Sequence, residues 1–189
     1  MADLEVLMSR YQQGDPAATT ALIRQVSPLL LRFFAGQYGS RPDAEDLLQD
    51  TWLQIHKARH TYRPGEPVLP WIYAFARHVR VDAYRRSQRI RSREQLMSPL
   101  PEPAATVRSN LAPSAAPDFD TLIAVLPPSQ REVVSMLKVS GMSLEEVACA
   151  TASSVGSVKL KAHRAYEKLR GVLKRQGSGR PWRSGDDVV

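Results

Sequence analysis

Residues 98 to 117 read SPLPEPAATVRSNLAPSAAP, and this stretch limits the fold of the 189-residue chain more than any other. It holds Pro99, Pro101, Pro103, Pro113 and Pro117 among alanines and serines that offer little to pack. Proline lacks the amide donor and drives the residue before it away from the helical region, so no helix runs through. Such a composition makes a flexible or partly extended linker. The periodic sequence on either side must therefore build two small domains.

Both sides are periodic in the helical sense, with few β-branched alternations and repeated capping signals, so an all-α protein is predicted. Gly14 ends a first helix, and Asp15 followed by Pro16 starts a second, the carboxylate capping and the proline at the first position. In RPDAEDLLQDTWLQIHKA, Ala44, Leu47, Leu48, Thr51, Trp52 and Ile55 recur at helical spacing as a buried side. A fourth helix is predicted from about Trp71 to Arg91. Beyond the linker, DFDTLIAVL is followed by Pro127 and Pro128, which open SQREVVSMLKVS. In GMSLEEV, Gly141 fits a helix-ending turn, and Ser143 with Glu146 makes a capping box. Ser154 caps the last helix, whose buried stripe is Val158, Ala162, Ala165 and Leu169. A short helix, a tight connection and a longer helix form a helix-turn-helix. Ala152 and Ser153 occupy its turn, where a left-handed backbone is easy for glycine and costly for alanine. The tail GSGRPWRSGDDVV reads as disordered.

Charge is informative once located. Residues 77 to 93 hold seven Lys/Arg against Asp82, and residues 159 to 175 hold seven against Glu167. These blocks net +12 within a chain of net +7, so the remainder is acidic at −5. Two cationic sites on an otherwise acidic protein suit a polyanion contacted twice, whereas solubilising faces would mix the signs. The last helix leaves Ser157, Lys159, Lys161, His163, Arg164 and Lys168 outside, supplying donors for base edges and cations for phosphates in a DNA major groove. The fourth helix has an apolar stripe of Ile72, Ala76, Val79 and Ala83, and another of Tyr73, Arg77, Arg80 and Tyr84. Rings interleaved with arginines suit unpaired bases, which stack while guanidinium groups hold the phosphates. Trp71 fits a core position as well as a base contact.

The order DAEDLLQDTWLQIHKARHTYRPGEPVLPWIYAFARHVRVDAYRR, a proline-rich tether, and LPPSQREVVSMLKVSGMSLEEVACATASSVGSVKLKAHRAYEKLR closely resembles the extracytoplasmic-function (ECF) group of bacterial RNA polymerase sigma factors, over residues 10 to 173. The resemblance implies a sigma region 2-like helical bundle at residues 1–93, a linker at 94–118, a sigma region 4-like helix-turn-helix at 119–175 and a tail at 176–189. It implies a partner, core RNA polymerase, whose largest-subunit clamp helices meet Asp46, Gln49, Asp50 and Leu53, with the flap of the second-largest subunit as a further contact. Asp43 and Glu45 are explained equally well as N-terminal capping and dipole residues.

It also implies that Trp71, Tyr73, Arg77, His78, Arg80, Asp82, Arg85 and Arg86 read the minus-ten element of promoter DNA as melted strand, alongside Tyr84. His78 stands where asparagine is common, and Asp82 could equally orient a neighbouring arginine. Ser154, Val155, Ser157, Lys159, Lys161, His163 and Arg164 would read the minus-thirty-five element as duplex. An anti-sigma factor, often membrane-bound, is a further implied partner, and the linker leucines and Val107 could fold against it or across the two domains. No cofactor and no catalytic residue are expected.

A free-standing helix-turn-helix regulator would use residues 120 to 175 but leave the acidic and aromatic-basic helices without a role. A metal site is suggested only by His56 and His60 at i, i+4 spacing, without the glutamate a zinc hydrolase helix would offer. No apolar run is long enough to span a bilayer, and MADLEVLMSRYQQGD carries acids where a signal peptide would carry bases, so a cytoplasmic protein is expected. The single cysteine, Cys149, has no second cysteine to pair with and reads as a buried thiol.

Overall fold

A computed structural model describes residues 3–38, 41–97 and 119–177, and among these every regular element is a helix. In chain order they are α1 (Leu4–Gln12), α2 (Pro16–Tyr38), α3 (Arg41–Ala58), a 3₁₀ turn (Arg59–Thr61), α4 (Val68–Met97), α5 (Phe119–Ala124), α6 (Pro128–Lys138), α7 (Leu144–Ala150) and α8 (Val155–Gly177). The Pro/Ala-rich stretch from 98 and the tail from 178 lie outside the described residues.

The caps fall where the sequence places them. Gly14 takes a left-handed φ of 82°. Asp15 accepts hydrogen bonds from the amides of Ala17 and Ala18 at 2.8 and 3.1 Å, which together with Arg10 hold its carboxyl below the usual carboxylate range. Ser143 and Glu146 close the capping box in both directions, at 3.1 and 2.7 Å. The fourth helix is longer than expected at both ends. It starts at Val68, because Pro70 sits in a first turn whose amides have no intrahelical partner to lose. It continues to Met97, so residues 94 to 97 of the expected linker are helical.

Helices α1 to α4 enclose Met8, Leu22, Leu30, Phe33, Phe34, Ile55 and Ile72. The predicted inner side of α3 is buried at Ala44, Leu47, Thr51 and Ile55, with Leu48 and Trp52 half-buried, and Trp52 donates from Nε1 to Ser27 on α2 at 2.9 Å. Helices α6 to α8 pack around Val133, Met136, Val147, Val158 and Ala162. These two helix groups are not separate. α2 lies against α5 and α6, α4 lies against α7, and the buried apolar side chains of both groups form one contiguous cluster. Gly36 is the close point on α2, where a Cβ would stand 3.0 Å from Ile123 Cδ1 of α5.

The helix-turn-helix connection contains the feature the sequence flags. Ala152 has φ of +48°, and among the described residues it is the only non-glycine with positive φ. Its amide bonds Cys149 O at 3.1 Å, and that of Ser153 bonds Ala148 O at 3.0 Å, which closes the end of α7. Ala152→Gly relieves the Cβ clash of the left-handed backbone, partly offset by added unfolded-chain entropy. It is expected to stabilise the chain by about 1 kcal/mol. Urea unfolding of the two proteins measures this, and equal midpoints would show that the turn carries no strain.

Candidate nucleic-acid interface

Three surfaces present the residues singled out by sequence. On α3, Asp46, Gln49, Asp50 and Leu53 are exposed along one face at i, i+3, i+4 and i+7 spacing, opposite the residues that pack on α2. Leu53 is 53% exposed, an apolar residue set in an acidic strip. Such a face is complementary to basic and apolar groups.

On α8, Ser154, Lys159, His163 and Arg164 are exposed and Val155, Ser157 and Lys161 half-exposed. Val158 and Ala165 are fully buried, which fixes the rotation of the helix and turns the basic side outward. Ser154 Oγ accepts from the Ser157 amide at 3.2 Å, so this serine is committed to capping as well as lying at the exposed helix start. Leu160, exposed among these cations, was absent from the expected set.

The α4 face is divided. His78, Tyr84, Arg85 and Arg86 are exposed. Asp82 bridges His78 at 3.2 Å and Arg85 at 3.8 Å, both at the surface, where such pairs contribute little. The other half of the stripe lies against α6 and the turn that follows it, Tyr73 fully buried and the Arg80 side chain 14% exposed, while the Arg77 side chain stays 38% exposed. Arg77 and Arg80 both pair with Oε1 of Glu132, at 3.2 and 3.0 Å. Arg80 also lies over the Phe33 ring at 5.9 Å. Tyr73 has no exposed surface; its ring meets Phe33 edge to face, and its hydroxyl is hydrogen-bonded to Ser140. Nothing in the local pattern marks Glu132 or Ser140 as neighbours of α4. Glu132 occupies a position in SQREVV that reads as an ordinary exposed helix charge.

Trp71 is half-buried between Tyr62 and Phe75, and it lines a cavity of about 480 Å³. The first-group wall is Tyr62, Pro67, Pro70, Trp71 and Ala74; α7 supplies Glu145, Glu146 and Cys149. Cys149 is exposed there, a correction to the buried thiol expected from its helical setting. α7 is only seven residues long and turns this position away from the core. His56 and His60 do not face a common site: His56 Nδ1 is bonded to the Tyr11 hydroxyl at 2.9 Å, and His60 lies on the 3₁₀ turn. Among the described residues no group of three or more His, Cys, Asp or Glu is placed to hold a metal ion. Among the same residues no helix is long and apolar enough to cross a membrane.

Comparison with known proteins gives two family matches in order, Sigma-70 region 2 over residues 22–90 and Sigma-70, region 4 over residues 118–169. The chain is 33% identical over 169 residues to RNA polymerase sigma factor CarQ of Myxococcus xanthus, covering 88% of this chain and 95% of that one. It is 32% identical to ECF RNA polymerase sigma factor SigF of Caulobacter vibrioides, covering 91% and 94%. Among solved structures it is similar to the sigma factor RpoE in complex with the anti-sigma factor NepR from Bartonella quintana, with a TM-score of 0.62, 25% identity, and coverage of 82% of this chain and 96% of that one. The fold is also that of CnrH in complex with the cytosolic domain of CnrY, with a TM-score of 0.66, 22% identity, and coverage of 92% and 99%.

Burial pushes the Tyr73 phenol up to about 12, against an opposing pull from its bond to Ser140. An exposed phenol ionises near 10, so the covered arrangement keeps its full advantage below pH 10 and loses it progressively as pH rises from 10 to 12. Phenolate absorbance of the native chain minus that of Tyr73→Phe is expected to show a step near pH 12. A step near 10 would place Tyr73 in solvent.

Proposed function

Because the chain belongs to the ECF group of bacterial RNA polymerase sigma factors, which are initiation subunits and not enzymes, we propose that it joins core polymerase through α3 and reads two promoter segments at once. Asp46, Gln49, Asp50 and Leu53 dock on the clamp helices of the largest polymerase subunit. Trp71, Tyr73, Arg77, His78, Arg80, Tyr84, Arg85 and Arg86 take the minus-ten element as unpaired strand, the rings stacking on bases and the guanidinium groups holding phosphates. Ser154, Val155, Ser157, Lys159, Lys161, His163 and Arg164 take the minus-thirty-five element as duplex through the major groove.

The division of labour is residues 1–93 for polymerase and melted strand and residues 119–175 for duplex, with 94–118 as tether. Tethering makes the second DNA contact intramolecular, so two modest affinities combine. Melting needs no chemistry. A base leaves the stack when a protein surface offers it a competing stacked state, and the half-buried Trp71 ring, set between Tyr62 and Phe75, supports that role. The flap of the second-largest subunit supports the duplex-reading half, the protein works in the cytoplasm, and an anti-sigma factor holds it inactive, as the likeness to a sigma factor solved with its anti-sigma factor suggests.

The observation that carries this reading is the presence, in one chain, of the exposed acidic strip on α3 and two basic helices within matched regions 2 and 4. A free-standing regulator would have no use for the strip. The two elements lie about 25 base pairs apart, roughly 85 Å along the duplex. Here α4 packs on α7 and α7 on α8, so the reading helices are neighbours and must separate before both elements are engaged.

Run-off transcription with core polymerase on a pool of upstream fragments from the source genome tests the reading. The native chain is expected to start specific transcripts, and an Asp46→Lys, Asp50→Lys variant to abolish them. If nothing initiates while the protein alone retards duplex DNA, the free-standing regulator replaces it.

A further inference from the structure

A single exposed leucine calls for no explanation on an ordinary protein surface. On α8 the position of Leu160 does. At about 100° per residue it stands about 200° around the helix axis from Val158 and about 160° from Ala162, both buried in the second helix group. In the N-terminal half of α8 it is therefore the side chain aimed most directly away from the body of the protein, and it is 49% exposed.

The residues around it complete the pattern. Lys159 and Lys161 lie about 100° to either side of Leu160, the first exposed and the second half-exposed. One turn toward the start of the helix the same line holds Gly156, where an added Cβ would meet only Ser154 Oγ, at 4.0 Å. One turn the other way stand His163 and Arg164, both exposed. The helix thus presents an apolar tip with a cation on each flank and no side chain ahead of it. Entered into a B-DNA major groove, such a face turns its lysines toward the two phosphate walls and its leucine toward the floor.

The floor of that groove carries polar base edges and one apolar group, the thymine C5 methyl. A leucine laid on a polar edge takes donors and acceptors out of water without giving them a hydrogen bond, which is costly. Laid on a methyl, it buries apolar surface on both partners. We propose that Leu160 is a specificity-determining residue that selects an A·T pair in the duplex element by packing on the thymine methyl. This rests on the assignment of α8 as duplex reader. Leu160 carries no charge and acts on the choice between sequences, while Lys159 and Lys161 add affinity for any of them. Cytosine, which lacks the methyl and presents an amine donor in the same groove, is disfavoured at that pair.

Removing the methyl alone tests this. The upstream fragment that gives the strongest run-off transcript with core polymerase and the native chain supplies the duplex. Each thymine of its minus-thirty-five region is replaced singly by deoxyuridine, which keeps every hydrogen-bonding group of the base. Gel retardation by polymerase loaded with the native chain is expected to weaken about fourfold at one thymine, the contribution of one buried methyl group. With full-length Leu160→Ala the same replacement is expected to change nothing. Lys159→Ala is expected to weaken binding to every fragment and keep the fourfold effect. Both side chains stand outside the core, so neither variant disturbs the packing of the helices.

A uracil penalty that is absent at every position in the native complex, or that persists unchanged in Leu160→Ala, overturns the proposal. Run-off transcription keeps the methyl contact apart from the reading it rests on. If specific transcripts form and no thymine depends on Leu160, the contact fails alone; if no fragment is transcribed or retarded, the assignment of α8 as duplex reader falls and takes the contact with it.

Discussion

A single carboxylate held between two arginines, Glu132 against Arg77 and Arg80, sets the terms on which the two halves of the chain meet. Apolar burial along the seam supplies attraction without direction. The charged cluster supplies direction, since a buried glutamate with one guanidinium missing would be strongly unfavourable and any sliding of α6 along α4 would create that state. Arg131 adds a second fixed point, and Arg32 over the Phe119 ring at 5.7 Å a third. The helices beyond the linker amount to about sixty residues, a size at which a single core is marginal. Sharing a contiguous cluster with α2 and α4 adds to their stability while they are closed.

On the proposed function the surfaces differ in their state of readiness. The α3 strip and the basic side of α8 are open in the closed chain, so neither polymerase docking nor a first touch on duplex DNA requires rearrangement. Only the aromatic-basic stripe of α4 is partly covered, and only in its N-terminal half. On that reading, the step that needs melted DNA would be the one tied to separation of the two helix groups.

Much of this molecule is legible in its sequence because the determinants are local. Asp15, Gly14, Ser143 with Glu146, and the left-handed strain at Ala152 each act over a few residues, and the structure places them as the pattern implies. The inner sides of α3 and α8 follow from periodicity in the same way. Helix α4 starts at Val68, ahead of the predicted Trp71, because Pro70 falls in its first turn, where proline removes no helical hydrogen bond. What the sequence does not disclose is the seam. Tyr73, Arg77 and Arg80 form a clean aromatic-basic stripe that looks solvent-facing, and only contacts with Glu132 and Ser140, far along the chain, reveal it as partly covered. Cys149 is a related case, since helical setting alone does not decide which side of a seven-residue helix meets the cavity.

Helix α4 is one unbroken rod, and the stripe Tyr73, Arg77, Arg80 and Tyr84 passes from beneath the second half of the chain into the open within a single turn. Past that edge Tyr84, Arg85, Arg86 and Arg89 are all exposed. On the proposed function, a DNA strand would meet the exposed Tyr84, Arg86 and Arg89 before Arg77 and Arg80, so the rod would offer it a toehold about one turn, 5.4 Å, from the arginines that Glu132 holds.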